Sequence, residues 1–313
     1  MSKTVLFFPG QASQYVGMGK ELYESSSDVR MLYEFASNEM NYDIARLSFE
    51  GPSDELKRTR FTQPAILLHS LAVLTVMGNR LPAFDFAAGH SLGEYGALAV
   101  TGAMTYNQAV KAVIKRAELM EDACIKRPGT MAAIMGLKAD KAQDICNQAS
   151  SAGIVIPANY NSAIQIVISG EVVGVEKAVE LAREAKAKRA VILKVGGAFH
   201  SPLMESSKTG LEKYLAQQTY QAPSRPVVAN VTAQSVTTAE AICPLLVAQM
   251  TSPVMWAQTM KYLVEQGVSA VYEIGPGKVL SGLARRDMRP EKLVNLDTLT
   301  DIETFATSEK GLV

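Results

Sequence analysis

Gly89-His90-Ser91-Leu92-Gly93 carries the G-x-S-x-G spacing between an apolar run, Phe84 to Gly89, and a helix-compatible run, Leu92 to Val100. Glycines on either side of a serine at a strand-to-helix turn let the backbone fold tightly and lift Oγ out of the sheet into a cleft. The amides that open the following helix can face a developing oxyanion. The chemistry this predicts is attack by Ser91 on a carbonyl carbon. The five-residue pattern also arises by chance, and the strand-turn-helix setting is what gives it weight.

Such a serine needs a base, and the chain offers three histidines, His69, His90 and His200. His90 adjoins Ser91, and continued strand alternation sends the two side chains apart. His69 falls inside an apolar helix, where a hydrogen-bonded core histidine is the simpler reading. His200 sits in Gly196-Gly197-Ala198-Phe199-His200-Ser201, a glycine-flanked loop of the kind that borders clefts. By elimination His200 is the expected base.

A third residue stands out by its position. Thr105-x-x-Gln108 is a capping box that opens a helix expected to end near Ala123. At about 100° per residue, Ala109, Ala112, Val113, Leu119, Met120 and Ala123 lie within about 60° of Arg116. The other charges, Lys111, Lys115, Glu118, Glu121 and Asp122, lie about 100° or more away. Arg116 therefore projects from the centre of the buried stripe, and a guanidinium there must be paired. Two partners fit: an Asp or Glu elsewhere in the chain, or a substrate carboxylate held bidentately. The second would select an acid-bearing acyl group over an acetyl or fatty chain.

The elements that position these residues alternate in type. Val5 to Phe8 reads as a buried parallel strand ending at Pro9-Gly10. The apolar stretch Pro64 to Met77 reads as a buried helix opened by Pro64 and too short to span a bilayer. Strand–helix alternation predicts an α/β fold with a mostly parallel sheet. From 128 to 197 the order becomes strand (Met131 to Met135), helix (Lys138 to Ser150), strand (Ile154 to Ala158), strand (Gln165 to Ser169), helix (Val172 to Ala187), strand (Val191 to Val195). That βαββαβ order is ferredoxin-like and predicts an inserted subdomain. The main domain, 1–127 and 198–313, then resumes with strands at Val227 to Val231 and Ala270 to Ile274 and helices near 240–250, 254–266 and 278–286.

The composition bounds the rest. A length of 313 residues suggests about two domains, or one with an insert. Lys+Arg and Asp+Glu both count 31, so the overall charge gives no sign of a nucleic-acid or membrane partner. No basic-then-apolar leader is visible, and Cys124, Cys146 and Cys243 share no paired spacing. A cytoplasmic protein with buried, inert thiols is expected, monomeric by default and without a metal.

With Ser91, His200 and Arg116 in hand, the chain resembles the malonyl-CoA:acyl-carrier-protein transacylases of fatty-acid synthesis. The resemblance runs from Pro9-Gly10-Gln11-Ala12-Ser13-Gln14 through Thr62-Gln63-Pro64-Ala65, Gly89-His90-Ser91-Leu92-Gly93-Glu94-Tyr95, Arg116 with Met120, and Phe199-His200-Ser201. It continues to Gln249 before Pro253-Val254 and ends at Glu273-Ile274-Gly275-Pro276-Gly277. It implies an α/β-hydrolase-like large subdomain with the ferredoxin-like insert, and a Ser91–His200 dyad oriented by the backbone carbonyl of Gln249. It also implies an oxyanion hole from the Gln11 and Leu92 amides, and Arg116 as the clamp for a malonyl carboxylate. Phe199 resembles the malonyl-selective form of its loop, and Met120, Gln63 and Asn161 match positions near the family's cleft. The implied substrates are malonyl-CoA, a coenzyme A thioester, and the phosphopantetheine thiol of acyl carrier protein, with no bound cofactor.

The chain departs from that pattern at three places. Ala163-Ile164 stands where Pro-Gly is usual, Gly96 where a small hydroxyl residue is common, and Ala12 where glycine is frequent. Two other readings are weighed against the resemblance. A serine esterase or thioesterase accounts for Ser91 and His200 but not for Arg116. A nucleotide-binding protein would rest on Gly275-Pro276-Gly277-Lys278, which lacks the full phosphate-loop pattern and reads more simply as a strand-to-helix turn. Polyketide synthesis is the alternative pathway.

Overall fold

The computed structural model describes residues 2–310, the side chains of 309 and 310 excepted. Among these residues ten strands build two sheets. β1 (Lys3–Phe8) and β2 (Phe86–Gly89) begin the first sheet. β3 (Thr130–Met135), β4 (Val155–Ser162), β5 (Gln165–Gly170) and β6 (Arg189–Ile192) form the second. β7 (Val227–Val228), β8 (Ser235–Val236), β9 (Val268–Ile274) and β10 (Lys292–Leu296) complete the first.

The first sheet has the order β10-β9-β1-β2-β7-β8 and is parallel except for the β7–β8 pair. Val5 to Phe8 are wholly buried because helices cover both faces, which is why the run reads as continuous rather than alternating. On one face Leu6 and Phe8 join a core shared with the Thr59–Met77, Gly93–Val100 and Tyr106–Lys126 helices. The other holds Phe7 against Trp256, with ring centroids 4.8 Å apart. The second sheet has the order β4-β5-β3-β6 and is antiparallel throughout. Its own apolar cluster lies under the Ala139–Ala149 and Val172–Glu184 helices.

Several elements differ from the sequence-based expectation. The helix expected to open at Pro64 starts at Thr59, so Pro64 lies inside it. The extra turn is held by tertiary contacts: Phe61 is buried, and Arg58 and Arg60 both reach Glu121. Thr59–Arg80 is consequently long and apolar enough to span a bilayer, against the expectation that it was too short. It nevertheless packs as a core helix, with 83% of its most apolar window buried by the rest of the chain. The strand expected at 227–231 stops at Val228, because Asn230 turns its side chain back to the Gly89 carbonyl. β6 starts earlier than expected and ends at Ile192, after which Leu193 and Val195 face a cavity. Cys243 is only partly buried, unlike Cys124 and Cys146, whose thiols burial pushes up to about 12. The helices between Lys20 and Leu56, the Glu205–Leu215 and Leu299–Lys310 helices, β8 and β10 were not anticipated.

The capping box at Thr105 is present in both directions, and its helix continues to Lys126. His69 is buried, with Nε2 at 2.9 Å from the Asp297 carbonyl and 3.0 Å from its carboxylate. That contact ties the central helix to the loop after β10. Replacing His69 with Ala leaves Asp297 short of a partner and opens a small void. The expected cost is about 2–4 kcal/mol, read as a lowered midpoint in urea. Acylation of Ser91 per folded molecule should be unchanged.

Candidate active site

β2 delivers the chain to Gly89, and the helix Gly93–Val100 leaves from Leu92. Between them Ser91 adopts φ 53°, the left-handed conformation that projects its side chain outward. The turn requires both flanking glycines. A Cβ on Gly89 would lie 1.9 Å from the Gly93 carbonyl carbon, and one on Gly93 would lie 2.2 Å from the Phe8 oxygen. Asn230 braces the turn, its Oδ1 accepting from the Ser91 amide at 2.6 Å and its Nδ2 donating to the Gly89 carbonyl at 2.6 Å.

Ser91 Oγ lies 2.8 Å from His200 Nε2. His200 Nδ1 lies 2.8 Å from the backbone oxygen of Gln249, which fixes Nδ1 as the protonated nitrogen and Nε2 as the acceptor. A carbonyl thus holds the place that a carboxylate takes in a triad. Burial pulls His200 down to about 3, and the charge of Arg116 adds to the effect. The imidazole is therefore neutral at physiological pH and able to take a proton.

Arg116 is 1% exposed. Its Nη1 donates to Gln63 Oε1, and its Nη2 donates to Gln249 Oε1 at 2.9 Å and to Ser91 Oγ at 3.0 Å. Its Nε is buried without a hydrogen-bond partner. Among the described residues no carboxylate lies within ion-pair distance of it, so the internal salt bridge weighed from the sequence is not what holds this charge. Neutral amides hold it instead, beside Ser91 Oγ. Glu94, one helical turn beyond the elbow, is also buried, and its Oε2 accepts from Gln249 Nε2 at 2.8 Å and from the Asn230 amide at 3.1 Å.

A cavity of about 260 Å³ opens onto the dyad. The turns that follow β1 and β2 contribute Gln11, Ser91 and Leu92 to its wall, and the second sheet and the segment after β6 contribute apolar residues such as Met131, Val167 and Leu193. Within the described residues the Gln11 and Leu92 amides have no hydrogen-bond partner. Gln63, Met120, Asn161 and Phe199 also line the cavity. Gln63 Nε2 approaches Met120 Sδ at 3.4 Å, and Asn161 Oδ1 lies 2.8 Å from His90 Nε2. His90 thus points away from Ser91, and the three histidines have three separate settings. Gly275 to Lys278 forms the turn into the Val279–Asp287 helix. The amides of Leu280 and Ser281 there are taken by the buried Glu273 carboxylate and the Gly277 amide by Asp297, which leaves no cradle for a phosphate.

Sequence comparisons give the same answer from another direction. The acyl transferase domain family matches residues 5–298. A malonyl CoA-acyl carrier protein transacylase of Staphylococcus aureus is 41% identical over 304 residues, 97% of this chain and 98% of its own length. One from Bacillus subtilis is 41% identical over 306 residues, 97% and 96% of the two chains. The chain belongs to the malonyl CoA-acyl carrier protein transacylases. Among solved structures, an acyl-carrier-protein S-malonyltransferase from Bartonella henselae superposes with TM-score 0.93 at 38% identity, covering 98% of this chain and 99% of its own. A malonyl-transacylase solved with its type II PKS acyl-carrier protein also gives 0.93, at 36% identity, with 98% and 100% covered.

Two departures of this transacylase from the family pattern acquire a physical setting. Ala12, where glycine is frequent, has φ 83°, a conformation that costs an L-residue about 1–2 kcal/mol. Gly96 packs on Phe8, whose ring would lie 2.7 Å from an added Cβ. Glu94 and Asn230 escaped the sequence reading as site residues: Glu94 stood within a quoted motif without a role, and Asn230 carries no local signal. Asn230→Ala should slow Ser91 acylation by about tenfold or more and lower stability by about 1–3 kcal/mol, since the Gly89 carbonyl and Ser91 amide lose their partner. Equal acylation rates in Asn230→Ala and wild type, compared by quenched-flow mass spectrometry, would show that the brace is not needed.

Proposed function

We propose that this protein moves a malonyl group from coenzyme A to the phosphopantetheine thiol of an acyl carrier protein, through a malonyl ester on Ser91. The observation that carries the reading is Arg116, a buried guanidinium whose hydrogen-bond partners among the described residues are neutral, 3.0 Å from the nucleophilic oxygen. A carboxylate beside the reacting carbonyl meets that charge bidentately, as planar guanidinium and carboxylate groups do. The names of the relatives support the same substrates.

His200 Nε2 takes the Ser91 proton as Oγ attacks the thioester carbonyl. The oxyanion is held by the amides of Gln11 and Leu92, each worth roughly 10²–10³ in rate by analogy with other oxyanion holes. Collapse breaks the carbon–sulfur bond, and coenzyme A leaves with the proton from His200. The phosphopantetheine thiol then attacks the malonyl ester, His200 takes its proton and returns it to Ser91, and the cycle closes as a ping-pong exchange. Gln63 and Met120 flank the acyl group beside Arg116, Asn161 lines the mouth, and the bulk of Phe199 disfavours a branched acyl chain.

Residues 128–197 are read as a ferredoxin-like insert in a hydrolase-like core spanning 1–127 and 198–313. The outermost of these, residue 1 and residues 311–313, lie outside the described residues. The enzyme is read as a cytoplasmic monomer serving fatty-acid synthesis. Transfer to a polyketide carrier is the second reading, favoured by the equal structural likeness to a transacylase solved with such a carrier. A thioesterase would share Ser91 and His200 but has no use for Arg116.

Mixing the protein with malonyl-CoA and no acceptor should add one malonyl mass, carried on Ser91 and absent from Ser91→Ala. Labelling of Ser91→Ala as strong as wild type would remove the nucleophile assignment. Arg116→Ala removes a desolvated ion pair worth on the order of 2–5 kcal/mol. Malonyl transfer should then fall roughly 30- to several-thousand-fold, at 1.4 kcal/mol per factor of ten. Acetyl transfer should hold or improve. A parallel loss of both rates would make Arg116 a structural residue.

A further inference from the structure

Glu94 is a buried carboxylate with no part in the transfer steps described above. It is 3% exposed, and its Oε2 accepts from the Gln249 side-chain amide and the Asn230 backbone. The other end of the Gln249 amide accepts from Arg116. A carboxylate and a guanidinium thus face each other across one amide group, deep in the protein and next to the nucleophile. Among the described residues Arg116 is the one cation that acts on Glu94. Tyr95 on its own helix and the Asn230 and Gln249 amides are its other polar neighbours. The remaining wall is apolar, with Leu98, Val227, Val236, Ile242 and Leu245.

We propose that Glu94 is the resident counter-charge of Arg116, a specificity-determining positioning residue that gives up its charge by taking a proton from solvent when a substrate carboxylate reaches the guanidinium. The inference rests on the malonyl reading of the site. Where Glu94 is ionised in the free protein, Arg116 and Glu94 sum to zero across Gln249. A malonyl carboxylate would make the buried group net negative, and a second buried anion is costly to keep. Protonation of Glu94 restores neutrality without moving a residue, because a carboxylic acid still accepts from both amides. Burial already pushes the Glu94 carboxyl up to about 7, so the proton is within reach near neutral pH. His200, pulled down to about 3, keeps its charge state over the same range.

The sign of the pH dependence follows. Malonyl binding is coupled to proton uptake by Glu94, so malonyl kcat/KM falls as pH rises above neutrality, while acetyl kcat/KM carries no such coupling. In wild type the malonyl-to-acetyl ratio of acylation rates should fall about tenfold between about pH 7 and 9. Glu94→Gln keeps both accepted hydrogen bonds and removes the charge. Its ratio should be flat over that range and several-fold above wild type at the alkaline end. A Glu94→Gln ratio with the wild-type slope, or equal losses for both substrates, would make Glu94 a structural acceptor only. Wild type alone gives a second readout that does not depend on the variant folding. In weak buffer with an indicator dye, acylation by malonyl-CoA near pH 7.5 should take up about half a proton or more per ester beyond acylation by acetyl-CoA, since about a quarter of Glu94 is already protonated there. No difference between the two would overturn the inference. Absence of any Ser91 ester would instead overturn the malonyl reading on which it rests.

Discussion

Gln249 is wholly buried, and the polar groups of the site meet on it. Its backbone oxygen faces His200 Nδ1, its Oε1 accepts from Arg116, and its Nε2 donates to Glu94 and to the Ser91 carbonyl. A guanidinium can only donate and a carboxylate only accept, so the orientation of this amide is forced by its neighbours. Each contact left unmade in this dry region costs about 1–3 kcal/mol. One residue therefore sets the tautomer of the base, holds the buried cation, and separates that cation from the buried anion.

The site also depends on backbone conformations that the chain would not choose locally. Ser91, His200 and Ala12 all have positive φ, in the left-handed region that costs L-residues about 1–2 kcal/mol each. Such residues persist only where the surroundings determine them from several sides. For Ser91 the surroundings are β2 and residues 5–8 of β1, all buried, the two glycines that admit close backbone contact, and the Asn230 brace. For His200 they are the Ser91 and Gln249 contacts together with burial on every side.

What the sequence made legible follows from whether the signal was local. Ser91 was readable because its turn needs glycines at fixed offsets. Arg116 was readable because a helix has a fixed angle per residue, so one charge among apolar neighbours reveals a buried position. His200 emerged by elimination among three histidines. Glu94 and Asn230 are 136 residues apart and meet only after β2 and β7 pair, so no spacing could have joined them. The start of the Thr59–Met77 helix was missed because Arg58, Arg60 and Phe61 are held by the distant Glu121 and by the core, against the local signal of Pro64. The elements left unread are mostly short or at sheet edges, as β8 and β10 are, where a few residues carry little periodicity.

In the proposed reaction Arg116 acts on His200 as well as on the substrate carboxylate. Its charge is among the causes that hold His200 down, so in the free site it opposes the imidazolium that forms when Ser91 is deprotonated. A substrate carboxylate against the guanidinium cancels part of that opposition at the moment of attack. An acyl group without a carboxylate leaves the guanidinium offset only by Glu94 on the far side of the Gln249 amide, and the proton must move to His200 against the nearer cation. Selectivity in such a site is expressed in the chemical step and not in binding alone, because the interaction is worth more once charge has developed on the imidazole. The 3.0 Å contact between Arg116 and Ser91 Oγ is what makes this coupling short enough to matter.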